Sequence, residues 1–140
     1  MMAVTKTQNV YIERTWRFQA AHWLPLVKEG HKCGRMHGHS YQLTATFRAP
    51  IWAQQGMIAD FGDLDAAFRP FIDANFEHRV LNQWHDNPTS ENLAWRFLAE
   101  AAPVLIANAV TEGLLPAGIM CVQVRLAETE RSAAVVTFDA

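Results

Sequence analysis

Three histidines with a spacing that suits a shared metal ion lie in the first third of the chain. His37 and His39 are two residues apart in a segment that alternates apolar and polar residues, so in a β-strand both side chains lie on one face, about 6.5 Å apart along the chain. His22 ends an earlier alternating segment, also on its apolar side. If these two strands pair antiparallel, the connection between them joins neighbouring ends and brings His22 next to the other two histidines.

Three imidazoles without a fourth protein ligand are typical of a catalytic zinc ion, which keeps one position open for water or substrate. A structural zinc site is normally closed by four protein ligands. A His-x-His pair alone also fits ordinary polar strand residues with satisfied hydrogen bonds. Because His22 lies on the same face of its strand as the other two histidines do on theirs, a metal site is favoured over ordinary polar residues. Zn²⁺ is therefore the predicted cofactor.

The connection between the two histidine segments carries a cysteine, Cys33, four residues before His37. Its neighbours Lys32 and Arg35 favour the thiolate electrostatically. Most intracellular cysteines are small buried apolar groups, and this is our interpretation of Cys121, which lies in a predicted strand. Cys33 is a candidate reactive group that lies near the metal without binding it.

The composition is that of an ordinary globular protein. Half of the 140 residues are apolar, and the formal net charge of -2 gives no support for a nucleic-acid-binding surface. The N-terminal segment lacks the features of a signal peptide, and no apolar run approaches the roughly 20 residues that span a bilayer. We expect a single cytoplasmic domain over residues 1–140, with reduced cysteines and no nucleic-acid or membrane partner.

Period-two alternation predicts the strands, and apolar residues three and four apart predict the helices. The strands are predicted over residues 10–23, 37–48, 56–60, 120–126 and 133–138. In the fourth strand, Met120, Val122, Val124 and Leu126 are expected on the buried face. The order of the elements predicts an α+β domain in which an antiparallel sheet carries two helices on one face.

The two helices contain prolines that affect their predicted ends. The first is predicted over residues 60–76, with Pro70 expected to kink or shorten it. The second is capped by Thr89 or Ser90, and Pro103 leaves open whether it stops there or continues. Residues 113–118 are expected to be a break.

Five segments, in this order along the chain, resemble one enzyme family. They are Phe18-Gln-Ala-Ala-His22, Cys33-Gly-Arg-Met-His37-Gly-His39, Gly56-Met-Ile-Ala-Asp-Phe-Gly-Asp-Leu64, Asn87-Pro-Thr-Ser-Glu-Asn92 and Glu128-Thr129. They resemble the 6-carboxytetrahydropterin synthases, the bacterial branch of the 6-pyruvoyltetrahydropterin synthase family. The resemblance implies the tunnelling fold (T-fold), whose copies associate into a barrel, and hence a homo-oligomer with active sites between subunits.

The resemblance also implies a role for each site residue. Zinc would be bound by His22, His37 and His39, with Cys33 as the catalytic base. A proton relay would use His78, and the family usually has Asp before that histidine, whereas this chain has Glu77. The pterin ring would be held by Glu128, with Thr89 and Ser90 lining the same pocket.

The family reaction converts 7,8-dihydroneopterin triphosphate to 6-carboxy-5,6,7,8-tetrahydropterin and releases acetaldehyde and triphosphate, a step toward queuosine. One alternative is a 6-pyruvoyltetrahydropterin synthase, which stops after triphosphate elimination. In that branch the cysteine stands further upstream of the His-Gly-His triplet than Cys33 does here. Another is a non-catalytic zinc- or pterin-binding paralogue, which the Glu77 substitution favours.

Overall fold

The backbone forms an antiparallel sheet whose four strands are neighbours in chain order. The computed structural model describes residues 9–51 and 56–138. The strands are β1 (Asn9–His22), β2 (His37–Pro50), β3 (Met120–Thr129) and β4 (Ser132–Thr137). Between β2 and β3 lie helix α1 (Phe61–Asn75) and a longer helix, Ser90–Thr111. The longer helix consists of α2 (Ser90–Arg96), a π-helical turn (Phe97–Ala101) and α3 (Ala102–Thr111).

Both helices cover one face of the sheet, as the sequence predicts. Trp16 and Phe18 of β1 are buried on this face, and the Trp16 ring stacks on Phe68 of α1 with centroids 5.1 Å apart. Phe97 of the longer helix packs against Phe68, with centroids 6.0 Å apart. On the opposite face, alternate β1 residues such as Arg17 are exposed. The observed class is the predicted α+β.

The predicted phase of β3 is wrong at its first residues. Met120 is 43% exposed, whereas Cys121 is 4% exposed. Thr46 of β2 pairs with Gln123 but the next residue, Phe47, pairs with Cys121, so Val122 is an extra residue in a bulge. A bulge moves the side chains that precede it to the opposite face, and the alternation of apolar residues cannot show this.

The structure corrects one further prediction and shows where the two helices that contain prolines end. Residues 56–60 form no strand in the described part of the chain, where Met57 is a single β-bridge residue, Ile58 is buried in the core and Asp60 caps α1 by accepting from Gly62 N at 2.7 Å. Pro70 lies inside α1, which continues to Asn75. Pro103 also lies within a helix, as the second residue of α3, and the preceding Ala102 N–H bonds to the carbonyl five residues back, that of Phe97.

The helix Ser90–Thr111 is 22 residues long and, by length and composition alone, apolar enough to cross a bilayer. The sequence prediction that no such run exists is corrected, since the helix continues past Pro103. A core helix of a globular protein passes the same test. Here Leu93, Phe97 and Leu98 are buried in the hydrophobic core, which accounts for the apolar character of this helix.

A hydrogen-bonded cluster joins β1 to α1. Arg14, the one charged residue on the apolar side of β1, donates from Nε to Asp65 Oδ1 at 2.8 Å. The same oxygen accepts from the indole N–H of Trp16 at 2.8 Å. The hydrogen bonds from Arg14 lower the pKa of Asp65. The cluster therefore places a carboxylate against a tryptophan that is 5% exposed.

Asp65→Ala is expected to destabilise the protein by about 1–3 kcal/mol, because the buried Trp16 indole N–H loses its acceptor. Asp65→Asn keeps an oxygen at this position and should lose less. Urea unfolding followed by tryptophan fluorescence measures both variants. If both variants lose the same free energy of unfolding, the stabilisation comes from the charge of Asp65 and not from the hydrogen bond to the indole.

Candidate active site

The pairing of β1 with β2 brings the three predicted histidines together. His22 lies directly opposite His37 in the register of the two strands. The ring centroids are 4.6 Å apart for His22 and His37, 5.1 Å for His22 and His39, and 4.9 Å for His37 and His39. One ligand nitrogen from each ring lies within 4.8 Å of the other two. The strand phases alone account for this arrangement.

Backbone carbonyls fix the tautomers of two of these rings. His22 Nδ1 lies 2.8 Å from the carbonyl oxygen of Pro88, and His37 Nδ1 lies 2.7 Å from that of Arg35. Because a carbonyl oxygen only accepts, each Nδ1 carries a proton, and a ring with no second proton presents a lone pair at Nε2. The two Nε2 atoms face each other at 3.0 Å. Two lone pairs at this distance repel unless a cation lies between them.

The third ring completes a donor set that fits a metal ion. His39 Nε2 is buried and has no hydrogen-bond partner among the described residues. Burial lowers the pKa of His22 and of His39, so both rings are held in the neutral form that binds metal. Two nitrogens bound tetrahedrally to zinc lie about 3.3 Å apart. The 3.0 Å between His22 Nε2 and His37 Nε2 is close to this value, and the three nitrogens together form a group that could hold a metal ion.

Tyr41 supports the histidines from the core side. Its hydroxyl lies 3.3 Å from His22 Nδ1, and its ring contacts His39 edge-on with centroids 5.4 Å apart. Phe18 stacks on the other side of Tyr41 at 5.0 Å. Burial raises the pKa of Tyr41, so the hydroxyl stays neutral. The sequence predicts no role for Tyr41, although its position two residues after His39 places it on the same face of β2.

Cys33 lies in a short 3-10 turn, Lys32–Gly34, between β1 and β2. Its N–H donates to His31 Nδ1 at 3.0 Å, and its carbonyl accepts from Leu24 N at 2.8 Å. The thiol is partly exposed, and the metal-binding group found among the described residues does not include it. By contrast, burial raises the pKa of Cys121 to about 12.

The predicted relay pair lies at the outer edge of β1. His78 has a positive φ of 56°, and its side chain is 78% exposed. Its Nε2 lies 3.4 Å from Glu77 Oε1. The same carboxylate accepts from Gln19 N at 3.0 Å and from Arg69 at 2.8 Å, and these contacts lower the pKa of Glu77. Glu77 is therefore adjacent to His78 but is also bound to β1 and α1.

The remaining predicted residues approach the histidines within the same chain. Glu128 Oε2 lies 3.9 Å from His39 Nε2. Thr89 is the cap of the longer helix, since its hydroxyl accepts from Asn92 N at 3.1 Å. Ser90 is 7% exposed, and its hydroxyl has no partner among the described residues. Both follow Pro88, whose carbonyl orients His22, so this turn connects the helix start to the candidate metal centre.

The fold and the three-histidine site define an α+β domain with a candidate metal centre at one end of an antiparallel sheet. The family model described as 6-pyruvoyl tetrahydropterin synthase matches residues 11–138. The chain belongs to this family, which confirms the resemblance inferred from the sequence.

Individual relatives agree with this assignment. A protein from Rickettsia typhi named 6-carboxy-5,6,7,8-tetrahydropterin synthase is 31% identical over 108 residues, which is 63% of this chain and 77% of the relative. A protein of the same name from Synechocystis is 36% identical over 93 residues, covering 61% and 70% of the two chains. The structure of Caenorhabditis elegans 6-pyruvoyl tetrahydropterin synthase superposes with a TM-score of 0.74 at 22% identity, covering 96% of this chain and 99% of that one. This likeness confirms the tunnelling fold.

Proposed function

We propose that the protein is a zinc-dependent 6-carboxytetrahydropterin synthase. It converts 7,8-dihydroneopterin 3'-triphosphate, with uptake of water, to 6-carboxy-5,6,7,8-tetrahydropterin, acetaldehyde and triphosphate, in the cytoplasmic biosynthesis of queuosine. The observation that carries this proposal is the pair of facing Nε2 atoms of His22 and His37, 3.0 Å apart, beside the orphaned Nε2 of His39. The names of the relatives from Rickettsia typhi and Synechocystis support the carboxy-forming branch.

The histidines and the cysteine have separate roles in this proposal. His22, His37 and His39 hold the zinc ion, which when bound supplies Lewis-acid polarisation of the substrate's side-chain oxygens. The Cys33 thiolate removes a proton from the side-chain carbon. The histidines cannot take this role, because their Nε2 atoms are the metal ligands and two of their Nδ1 atoms are bonded to carbonyls.

The other predicted residues bind the ring and move protons. Glu128 accepts two parallel hydrogen bonds from the guanidine-like edge of the pterin, which a carboxylate is shaped to do. Thr89 and Ser90 line the same pocket, and the unpartnered hydroxyl of Ser90 supplies a free polar group there. His78 passes protons during elimination, with Glu77 beside it. Because His78 is 78% exposed in the single chain, we propose that a second copy completes the site in a homo-oligomer.

Two alternatives have specific support. The solved structure from Caenorhabditis elegans is that of a 6-pyruvoyl tetrahydropterin synthase, but the cysteine spacing of this chain favours the carboxy-forming branch. A non-catalytic pterin-binding paralogue is favoured by the contacts of Glu77 with Gln19 and Arg69, which give this carboxylate a structural role.

An assay decides among these functions: the zinc-loaded protein is incubated with dihydroneopterin triphosphate, and the products are identified. We expect a carboxylated pterin and acetaldehyde, identified by mass spectrometry, in amounts that depend on enzyme and zinc. Protein stripped with a chelator is the control. A pyruvoyl pterin would replace the proposal with the first alternative, and pterin binding without turnover would replace it with the second.

A further inference from the structure

The outer edge of β1 is covered by the segment that follows α1. Gln19 accepts from His78 N at 2.6 Å, and Ala21 N donates to the Arg79 carbonyl at 3.0 Å. Ala21 and Val80 form a parallel bridge. Residues 78–80 therefore lie alongside β1 as a short extra strand-like segment, joined to it by these two hydrogen bonds. After Val80 the backbone leaves this edge and enters the 3-10 turn Leu81–Gln83.

The next rung of this ladder is made by a side chain, that of Asn82. Its Oδ1 accepts from Trp23 N at 3.0 Å, and its Nδ2 donates to the Trp23 carbonyl at 2.8 Å. A carboxamide has the same donor and acceptor as a peptide group. The Asn82 side chain thus takes the place of a backbone peptide group where the segment turns away from β1. It pairs with both the N–H and the carbonyl of Trp23, which point outward from the sheet.

Trp23 is the junction between the candidate metal centre and the loop that carries Cys33. It directly follows His22, and the next residue, Leu24, donates from its N–H to the Cys33 carbonyl at 2.8 Å. We define residues 23–36 as the Cys33 loop. Within the described chain, the hydrogen bonds that join this loop to the rest of the fold are the two from Asn82 and the one between Arg35 O and His37 Nδ1.

We propose that Asn82 is a positioning residue that sets Cys33 relative to the three histidines. It fixes the start of the Cys33 loop at Trp23. The hydrogen bond from Leu24 N to the Cys33 carbonyl then fixes the turn that holds the thiol relative to this point. The inference deepens the proposed function, since it relies on that function for the roles of Cys33 and the histidines. The position of the loop itself can be measured without any pterin.

The test compares Asn82→Ala and Asn82→Asp with the native protein, all zinc-loaded. Asp has nearly the volume of Asn but sets an oxygen against the Trp23 carbonyl, so it breaks the hydrogen bond and keeps the packing. Asn75→Ala is the matched control, because Asn75 also donates to a backbone carbonyl, that of Phe71 at 2.9 Å, but lies within α1. The readouts are the rate of Cys33 alkylation by iodoacetamide, located by peptide mass, and the exchange rate of the Leu24 amide.

Asn82→Ala loses both hydrogen bonds to Trp23 and should raise both rates roughly tenfold, whereas Asn82→Asp loses only the bond to the Trp23 carbonyl and should raise them less. Cys121, which is 4% exposed, should stay unmodified, and Asn75→Ala should behave as the native protein. Native rates in both Asn82 variants, or an equal rise in Asn75→Ala, would overturn the inference. If the native protein shows no pterin turnover, the proposed function fails while these two rates still test the role of Asn82.

Discussion

Cys33→Ala is expected to reduce turnover at least about 100-fold and to leave the zinc content at the native level, because general-base catalysis contributes about 10²–10⁴-fold. The thiol is partly exposed and lies outside the metal-binding group of the described residues, so its removal breaks no metal contact. The hydrogen bonds that hold the turn use the backbone of residue 33 and persist in the variant. Single-turnover kinetics and metal analysis of the same preparation measure the two quantities.

Cys121→Ala is the matched control for this experiment. It removes a thiol of the same chemistry from a buried position in β3, on a strand residue that pairs with Phe47. We expect native turnover and a small loss of stability from the cavity. If Cys33→Ala loses zinc in parallel with turnover, Cys33 is a metal ligand rather than a base.

His39→Ala is expected to weaken zinc binding by at least about 100-fold and to leave the apo fold intact. Changes to residues behind the ligands of a metal site typically cost 10–100-fold in affinity, so loss of a ligand should reach at least the upper end of that range. His39 Nε2 has no hydrogen-bond partner among the described residues, so the substitution takes no hydrogen bond of this nitrogen from the described part of the chain. His22→Ala, in contrast, also removes the hydrogen bond to Pro88 and should destabilise the apo-protein.

Competition with a chromophoric chelator measures the zinc affinity, and thermal unfolding of the apo-protein measures the fold. Ser40→Ala is the control, because Ser40 is the next residue of β2, and its exposed side chain lies on the opposite face. Native zinc affinity in His39→Ala would exclude His39 from the metal site.

The strands and the three-histidine cluster could be predicted from sequence because both depend on local alternation. The apolar side of β1 runs from Trp16 to His22, and the same phase in β2 includes His37 and His39. Antiparallel pairing then leaves only one arrangement of the three rings. The first helix and the cap at Thr89 were predictable for the same reason, since their signals lie within a few residues.

Features that depend on contacts between distant segments could not be predicted. The bulge at Val122 adds a single residue, and only the pairing with β2 shows where the phase changes. Asn82 contacts a residue 59 positions away, and nothing in its own neighbourhood distinguishes it from any other loop asparagine. The proximity of Glu128 to His39 depends likewise on the β2–β3 pairing and not on local sequence.

The cover on the outer edge of β1 also decides where another strand can be added to this sheet. Arg17, Gln19, Ala21 and Trp23 already bond outward to Arg69 and to residues 77–82. Tyr11, Glu13 and Thr15 also point their backbone N–H and carbonyl groups toward this edge, since they lie in the same alternation. No described residue outside β2 hydrogen-bonds to their backbone. The part of this edge that is open to a further strand is therefore the end of β1 remote from the histidines, whereas the part beside them is already paired.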